Sequence, residues 1–395
     1  MNMQSRNMYK VAVVLGIRPD FIRTSEILKL LDAHKDVDLS IIHTGQHYDS
    51  NLNSVFFDEM DIPKVTHQLD TRGKNHNEQH SKLILQLSDV LEKLQPEVVL
   101  FLGDANATIG CIAPLKLGIP IAHIEAGMRS YNWKMPEERN RVIIDRVSDV
   151  LYVYQDDYRV QLVQEGIDPS KIVVTGNVIV DVINTHEKKF WWRGDNGKWS
   201  GSRTVGKVGE TVENGEYALM TLHRNEHMDF RTASHIIHGV GRATEKRNLP
   251  VVLIEMPRLK ALGVVYPPHF IVIPPLGYFE FGMLEANAAI EYTDSGTNQE
   301  SASILCTPCV VTRECTERPE CRDCGTTVLS GHHHIEQATE LVLNAVQPDD
   351  FSLGDGKSSQ RIVDDLVGRL DKWTNGAYGW ESIEGSFKRR HFKIL

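Results

Sequence analysis

The chain has 395 residues, of which 41% are hydrophobic and 24% charged. A chain of this length is longer than a single hydrophobic core usually accommodates, so two domains are expected. Its net charge of −10 excludes an extended nucleic-acid-binding face, because such a face needs clustered Lys and Arg. No stretch is apolar enough to span a membrane, and the first ten residues lack the apolar core of a signal peptide, so a cytoplasmic protein without membrane contact is expected.

Short β-branched runs alternate with helical patterns through the first half of the chain. The first run is followed by Pro19 in a predicted first helical turn and by apolar residues that share one helix face. Continuous apolar runs separated by helices are typical of buried parallel strands in βαβ units. The strands predicted here cover residues 9–16, 38–45, 97–104, 120–127, 149–155 and 172–178.

A second series of the same kind follows a segment at 188–216 that is rich in Gly, Lys and Trp and reads as a linker. Its strands are predicted at residues 217–224, 249–256, 270–276, 288–296 and 309–315. The pattern predicts an α/β protein with two doubly wound, Rossmann-like domains at 1–180 and 181–375. Residues 376–395 are expected to form a helix that packs back on the first domain.

Polar residues and glycines concentrate where the predicted strands end, which is where doubly wound domains bind ligands. The segment from Asp294 through Ser295 and Gly296 to Thr297 follows a strand and precedes a helix, so its backbone N–H groups could face a phosphate. An ordinary N-capped turn is the alternative. Further cations that could serve an anionic ligand are Arg18, Arg23 and Arg318.

Carboxylates at strand ends or in loops are the candidates for acid and base chemistry. Asp104 and Glu125 each follow an apolar run, whereas Glu137 stands beside Pro136 in a first helical turn, where the helix dipole alone could explain it. His223 ends a strand and brings a titratable imidazole to the same kind of position. A structural histidine is the alternative there.

Five of the six cysteines fall between Cys306 and Cys324, including two Cys-x-x-Cys pairs. Such pairs can hold zinc. However, Cys309 begins an apolar run, and the intervening loop contains a Thr-Glu-Arg-Pro-Glu segment that is itself a candidate functional segment. Buried reduced thiols without metal are therefore expected. The histidines at 332–334 are expected in an exposed loop before a helix.

Nine segments in collinear order resemble the non-hydrolysing UDP-N-acetylglucosamine 2-epimerase family over residues 9–330. They read GIRPDFIR, TGQHYD, LGDANAT, HIEAGMRS, MPEERNR, VTGNVIVD, TLHRNEH, DSGTNQES and TERPE. The resemblance implies a glycosyltransferase-B-like fold with the active site in a cleft between two domains. It also implies inversion of C2 of a UDP-linked 2-acetamido sugar without a cofactor, through elimination of UDP to a glycal and its re-addition.

The resemblance further implies roles for individual residues, a homodimer, and a place in the synthesis of cell-surface polysaccharide or related glycan precursors. The residues it implies as catalytic are Asp104, Glu125, Glu137 and His223. Those implied in substrate binding are Arg18, Arg23, Gln46, His47, Phe281, Ser295, Gly296, Thr297, Glu300 and Arg318.

Some positions depart from the family pattern. Thr297 replaces a second glycine and Ser301 replaces an acid that normally holds the ribose, so ribose binding is expected to be rearranged through Glu300. Residues 105–108 and 255–258 also differ. These departures leave open a modified substrate, such as a 6-deoxy or uronic UDP-sugar. A hydrolysing epimerase, a glycosyltransferase and an inactive nucleotide-sugar-binding protein remain alternatives.

Overall fold

The computed structural model describes residues 8–45, 60–190, 206, 208–209, 212, 216–345 and 352–374. Gln46, His47, most of the predicted linker and the predicted helix at 376–395 lie outside these residues. The chain divides into two compact units, each of which contains one parallel sheet covered by helices.

The first unit draws on Met1–Gly127, Trp133–Val178 and Gly356–Leu395. Its seven strands form a parallel sheet in the order 3-2-1-4-5-6-7. The strands are β1 (Tyr9–Leu15), β2 (Val37–His43), β3 (His67–Gln68), β4 (Val98–Leu102), β5 (Ile121–Ile124), β6 (Val150–Val153) and β7 (Ile172–Val174). The helices between them are α1 (Arg18–Asp32), α2 (His76–Leu94), α3 (Ile112–Leu117), α4 (Pro136–Val147) and α5 (Asp156–Gln164), with 3₁₀ turns at Asn106–Cys111 and Pro169–Lys171.

The second unit draws on Met128–Asn132 and Ile179–Asp355. Its six strands are parallel in the order 10-9-8-11-12-13, and a 3₁₀ turn covers Asn225–His227. The strands are β8 (Ala218–Thr221), β9 (Val251–Ile254), β10 (Phe270–Ile273), β11 (Ile290–Thr293), β12 (Cys309–Val311) and β13 (Thr327–Leu329). The helices are α6 (Val178–Phe190), α7 (Phe230–Glu245), α8 (Pro257–Ala261), α9 (Tyr278–Ala286), α10 (Gly296–Ile304), α11 (Pro319–Asp323) and α12 (Ile335–Leu343).

The predicted α/β class with two doubly wound sheets is confirmed. All eleven predicted strands are present, and the central ones are buried along their whole length, as expected where helices cover both faces. Among the strands of the described residues, β3 and β13 were missed. The two residues of β3 are too few to show a strand pattern.

The return of the chain to the first unit begins earlier than the predicted residue 376. The helix α13 (Ser358–Thr374) already belongs to that unit and packs against α1. Its apolar face is buried at Ile362, Val363, Leu366 and Leu370. No helix among the described residues is long and apolar enough to cross a membrane.

Candidate active site

The strand order of each sheet reverses direction at one point, and the predicted site residues follow the strands at that point. In the first unit the reversal lies between β1 and β4, which lead to Arg18 and Asp104. In the second unit it lies between β8 and β11, which lead to His223 and Ser295. Loops at such a point leave a crevice at the carboxyl ends of the strands, where ligands of this fold bind.

A cluster of acids and arginines occupies the strand ends of the first unit. Glu125 is 1% exposed and forms ion pairs with Arg23 and, at 3.2 Å, with Arg141. Arg141 also donates two hydrogen bonds to Asp104 Oδ2, from Nε at 2.9 Å and from Nη2 at 2.5 Å. The hydroxyl of Tyr154 donates to Glu125 Oε2 at 3.4 Å. The structure therefore joins the predicted Asp104, Glu125 and Arg23 through Arg141, which the sequence did not single out.

Glu125 has a backbone φ of +69°, in the left-handed region that non-glycine residues rarely occupy. Such a conformation costs on the order of 1–3 kcal/mol and persists only where its surroundings hold it. Here the two guanidinium groups fix the side chain. A strained, buried and ion-paired carboxylate at a strand end is typical of a functional residue, and the role of Glu125 stays a prediction.

Asp20 adds a third carboxylate to this cluster. Its Oδ2 accepts hydrogen bonds from the backbone N–H groups of Gly16 at 3.0 Å and Ile17 at 3.1 Å, and Oδ1 lies 3.4 Å from Arg23 Nη2. Burial raises the pKa of Asp20 to about 6, although Arg23 and the two N–H groups oppose that shift. Three acids share two arginines here, and Asp20 is a site residue that the sequence interpretation missed.

The remaining predicted residues of the first unit lie at helix starts. Arg18 is the first residue of α1 and Glu137 is in the first turn of α4, both half-buried. Pro136 occupies the first position of α4, as predicted. The side chain of Glu137 makes no hydrogen bond or ion pair with any described residue, so its carboxylate is available to a ligand.

Asp294 is the centre of the polar cluster in the second unit. It is fully buried and accepts hydrogen bonds from the backbone N–H groups of His223, at 2.9 Å, and Arg224, at 2.8 Å. The Nδ1 atoms of His223 and His227 lie 3.0 and 2.9 Å from its carboxylate. Burial opposes ionisation of Asp294, but the two imidazoles together hold its pKa well below the usual range.

The hydrogen bond to Asp294 fixes the orientation of the imidazole ring of His223. Its ring is 43% exposed while Nδ1 is held by Asp294, so Nε2 is the nitrogen left for a ligand. His227, which is buried, holds the other side of the same carboxylate. Asp294 was named from sequence only as the first residue of the segment predicted to face a phosphate, and His227 was given no role, although both belong to segments that the family resemblance uses.

The start of α10 has the features of an anion site. Ser295 is its N-cap, and the hydroxyl accepts a hydrogen bond from the backbone N–H of Asn298 at 3.4 Å. Gly296 lies against Arg318: a Cβ at residue 296 would be 2.5 Å from Nη1 and 2.8 Å from Cζ of that arginine. Thr297 is half-buried in the first turn. Backbone N–H groups and a guanidinium therefore meet where a phosphate could bind.

Arg318 is 3% exposed and lies between two buried acids. Its Nε is 3.2 Å from Glu300 and its Nη1 is 2.5 Å from Glu317, which also pairs with Arg313 at 3.1 Å. Glu300 is fully buried, and its charge balances that of Arg318. Ser301, at the position where the family commonly has an acid, donates to Glu285 Oε1 at 2.5 Å.

Phe281 lies on α9 and is half-buried against an apolar cluster that includes Tyr217, Ile254 and Leu276. This packing holds the ring in place.

All six cysteines lie among the described residues and are free thiols. Burial raises the pKa of the Cys309 and Cys321 thiols well above their usual range, so both are protonated. Within the described ranges, no three His, Cys, Asp or Glu side chains come together as metal ligands. Of the five clustered cysteines, Cys309, Cys321 and Cys324 are buried as expected, whereas Cys306 is exposed and Cys315 is half-buried.

A family model described as UDP-N-acetylglucosamine 2-epimerase matches residues 29–367. UDP-N-acetylglucosamine 2-epimerase of Methanocaldococcus jannaschii is 35% identical over 366 residues, which cover 90% of this chain and 98% of the relative. UDP-2,3-diacetamido-2,3-dideoxy-D-glucuronate 2-epimerase of Pseudomonas aeruginosa is 34% identical over 368 residues, covering 91% and 99%. A crystal structure of the M. jannaschii UDP-GlcNAc 2-epimerase with UDP-GlcNAc and UDP matches with a TM-score of 0.82 at 35% identity, over 91% of this chain and 99% of that one.

Proposed function

Because the chain belongs to the UDP-N-acetylglucosamine 2-epimerase family, a family of isomerases, we propose that it inverts C2 of a UDP-linked 2-acetamido sugar. The solved M. jannaschii relative was crystallised with UDP-GlcNAc and UDP, which supports a UDP-sugar as substrate. The observation that carries the proposal is that the two sheets end in different sets of functional groups. One sheet ends in an acid cluster around Glu125, and the other ends in a phosphate-type site beside Arg318.

The proposed reaction has two steps that reverse each other on opposite faces of the sugar. A base takes the C2 proton, the C2–H electrons form the C1=C2 double bond, and the C1–O electrons leave with UDP. UDP then attacks C1 again while a proton is delivered to the other face of C2. No electrons pass to another molecule in the sum of these steps, so we propose a reaction without a cofactor.

The acids of the first unit are assigned to proton transfer at C2. Glu125 is buried between two guanidinium groups, which stabilise its charged form. Asp104 has a side chain that is 18% exposed, and Glu137 is half-buried without a protein partner among the described residues, so these two reach a ligand more readily. We assign direct proton transfer to Asp104 and Glu137. We assign to Glu125 either the electrostatic stabilisation of charge beside C2 or the second of the two proton transfers.

The second unit is assigned to the diphosphate that leaves and returns. His223 presents Nε2 to the diphosphate, and Arg318 supplies a fixed positive charge. The start of α10, at Ser295 and Gly296, supplies backbone N–H groups as hydrogen-bond donors. Arg18 and Arg23 are further cations of the first unit for the phosphates. For the uracil and sugar we propose contacts with Gln46, His47, Phe281, Thr297 and Glu300.

Product analysis tests the proposed reaction. The chain is incubated with a panel that includes UDP-GlcNAc and UDP-2,3-diacetamido-2,3-dideoxy-D-glucuronate, and products are identified by NMR. We expect an intact UDP-sugar epimerised at C2. Release of free sugar and UDP would instead identify a hydrolysing epimerase. Transfer of the sugar to an added acceptor would identify a glycosyltransferase. Binding without turnover across the panel would identify a nucleotide-sugar-binding protein. The proposed homodimer is tested by sedimentation of the same sample.

A further inference from the structure

Two glutamates that the proposed reaction does not use are buried side by side in the second unit. Glu285 on α9 is 2% exposed and Glu291 on β11 is 0% exposed. Each accepts a hydrogen bond from a residue of the same helix, Ser301 and Asn298, which are one helical turn apart, and this places the two carboxyl groups within reach of a hydrogen bond to each other. Two carboxyl groups can form such a bond only when one of them carries a proton. The Oε2 atom of Glu291 is buried and has no other donor among the described residues, so a proton on Glu285 would satisfy it.

Each acid also holds the helix α10. Ser301 on α10 donates to Glu285 Oε1 at 2.5 Å, and Asn298 on α10 donates to Glu291 Oε1 at 2.8 Å. The same amide of Asn298 lies 3.4 Å from the hydroxyl of Thr221 at the end of β8. That hydroxyl is 2.7 Å from Thr293 Oγ1, which accepts a hydrogen bond from the backbone N–H of Ser295 at 3.1 Å. The acid pair is thus connected to the N-cap of the helix by continuous hydrogen bonds.

We propose that Glu285 and Glu291 act as positioning residues, a pair that shares a proton and sets the N-terminus of α10 for binding the diphosphate of a nucleotide. This inference rests on the proposed function, because it assigns that ligand to α10. Neither residue touches the ligand. They act through Ser301, Asn298 and the two threonine hydroxyls.

The charge environment makes the shared proton necessary. Among the described residues, the titratable groups that face the pair from the neighbouring elements are Tyr278 on α9 and Cys309 on β12, and neither can supply a positive charge. Burial raises the pKa of both glutamates, and the charge of Glu291 raises that of Glu285 further. Loss of the shared proton would leave two like charges in contact in a buried space, which is relieved only if α9, β11 and α10 move apart.

The sign of the pH effect follows from this. The protonated pair holds α10 in place, so nucleotide affinity is highest below the pair's pKa and falls as pH rises through it. If one proton is lost, the dissociation constant of UDP rises by up to about tenfold for each pH unit above the transition. A glutamine at either position can donate a hydrogen bond without ionising, so it mimics the protonated acid at every pH.

The test measures UDP binding by calorimetry from pH 6.5 to 9.5 in the wild type, Glu285→Gln and the matched control Glu245→Gln. Glu245 is an exposed residue of α7 in the same unit. We expect affinity to fall at high pH in the wild type and in Glu245→Gln, and to stay constant in Glu285→Gln. Glu291→Gln keeps the carbonyl that Asn298 needs, and it replaces Glu285→Gln in this comparison if the latter does not fold.

Two results would overturn the inference while leaving the proposed function intact. One is a UDP affinity of the wild type that does not change with pH, and the other is a glutamine variant that loses affinity at high pH as the wild type does. Absence of UDP binding to the wild type at every pH would overturn the inference and the proposed function together.

Discussion

Gly296→Ala tests the anion site directly, because the position has no room for a side chain. A Cβ there would lie 2.5 Å from Nη1 and 2.8 Å from Cζ of Arg318, and 3.1 Å from Glu317 Oε1. Carbon contacts are comfortable from about 3.5 Å, so the guanidinium must retreat by roughly 1 Å. Its pairs with Glu317 at 2.5 Å and Glu300 at 3.2 Å hold the guanidinium in place, so the movement strains both pairs.

The expected cost has two parts. Overpacking of a filled site lowers the free energy of unfolding by about 1–3 kcal/mol. Displacement of a charged hydrogen-bond donor from the diphosphate costs about 1.5–3 kcal/mol of binding, which weakens UDP affinity by roughly 10-fold to 150-fold. Urea unfolding measures the first part and calorimetry with UDP the second.

Gly368→Ala is the matched control. Gly368 lies within α13, and a Cβ there would meet nothing within 4 Å. We expect this variant to bind UDP as the wild type does and to gain up to about 1 kcal/mol of stability from the higher helix propensity of alanine. Wild-type UDP affinity in Gly296→Ala would refute the assignment of α10 and Arg318 to the diphosphate.

Three further variants test other parts of the account. Glu125→Gln should bind UDP within a few-fold of wild type but lose proton exchange at C2 by at least about a hundredfold, as measured by NMR in deuterated water; full exchange would make this residue purely structural. His223→Ala should weaken UDP binding and also slow turnover, and a defect in turnover alone would remove the histidine from the diphosphate site. Asp20 has its pKa raised from 3.8 to about 6, so its contribution to stability falls as pH rises through this window. The stability of Asp20→Asn relative to wild type should therefore improve between pH 4 and 7 by up to (6 − 3.8) × 1.36, or about 3 kcal/mol, in urea unfolding, and no change would contradict the buried charge at Asp20.

The sequence was sufficient to predict the two doubly wound sheets and the strand ends that carry the site. Apolar runs in parallel strands and glycines at their ends are local signals, which is why Asp104, Glu125, His223 and Ser295 could be found. The two residues of β3 are too few for such a signal.

Residues that act across the fold could not be predicted in the same way. Arg141 lies inside α4 and reads as an ordinary helix residue, yet it joins Asp104 to Glu125, which are distant in sequence. The ion pair between Glu300 and the buried Arg318 also gave no signal in the sequence, because only the fold brings the two residues together. Glu285 and Glu291 gave no signal because only the packing of α9, β11 and α10 makes them neighbours.

The central claim is proton removal and return at C2, and isotope incorporation measures it most directly. The chain is incubated with its UDP-sugar substrate in deuterated water, and the C2 position of the recovered UDP-sugar is analysed by NMR and mass spectrometry. The account predicts one deuterium at C2 of the epimerised product, with UDP still attached. An epimerised UDP-sugar that carries no deuterium at C2 would contradict it.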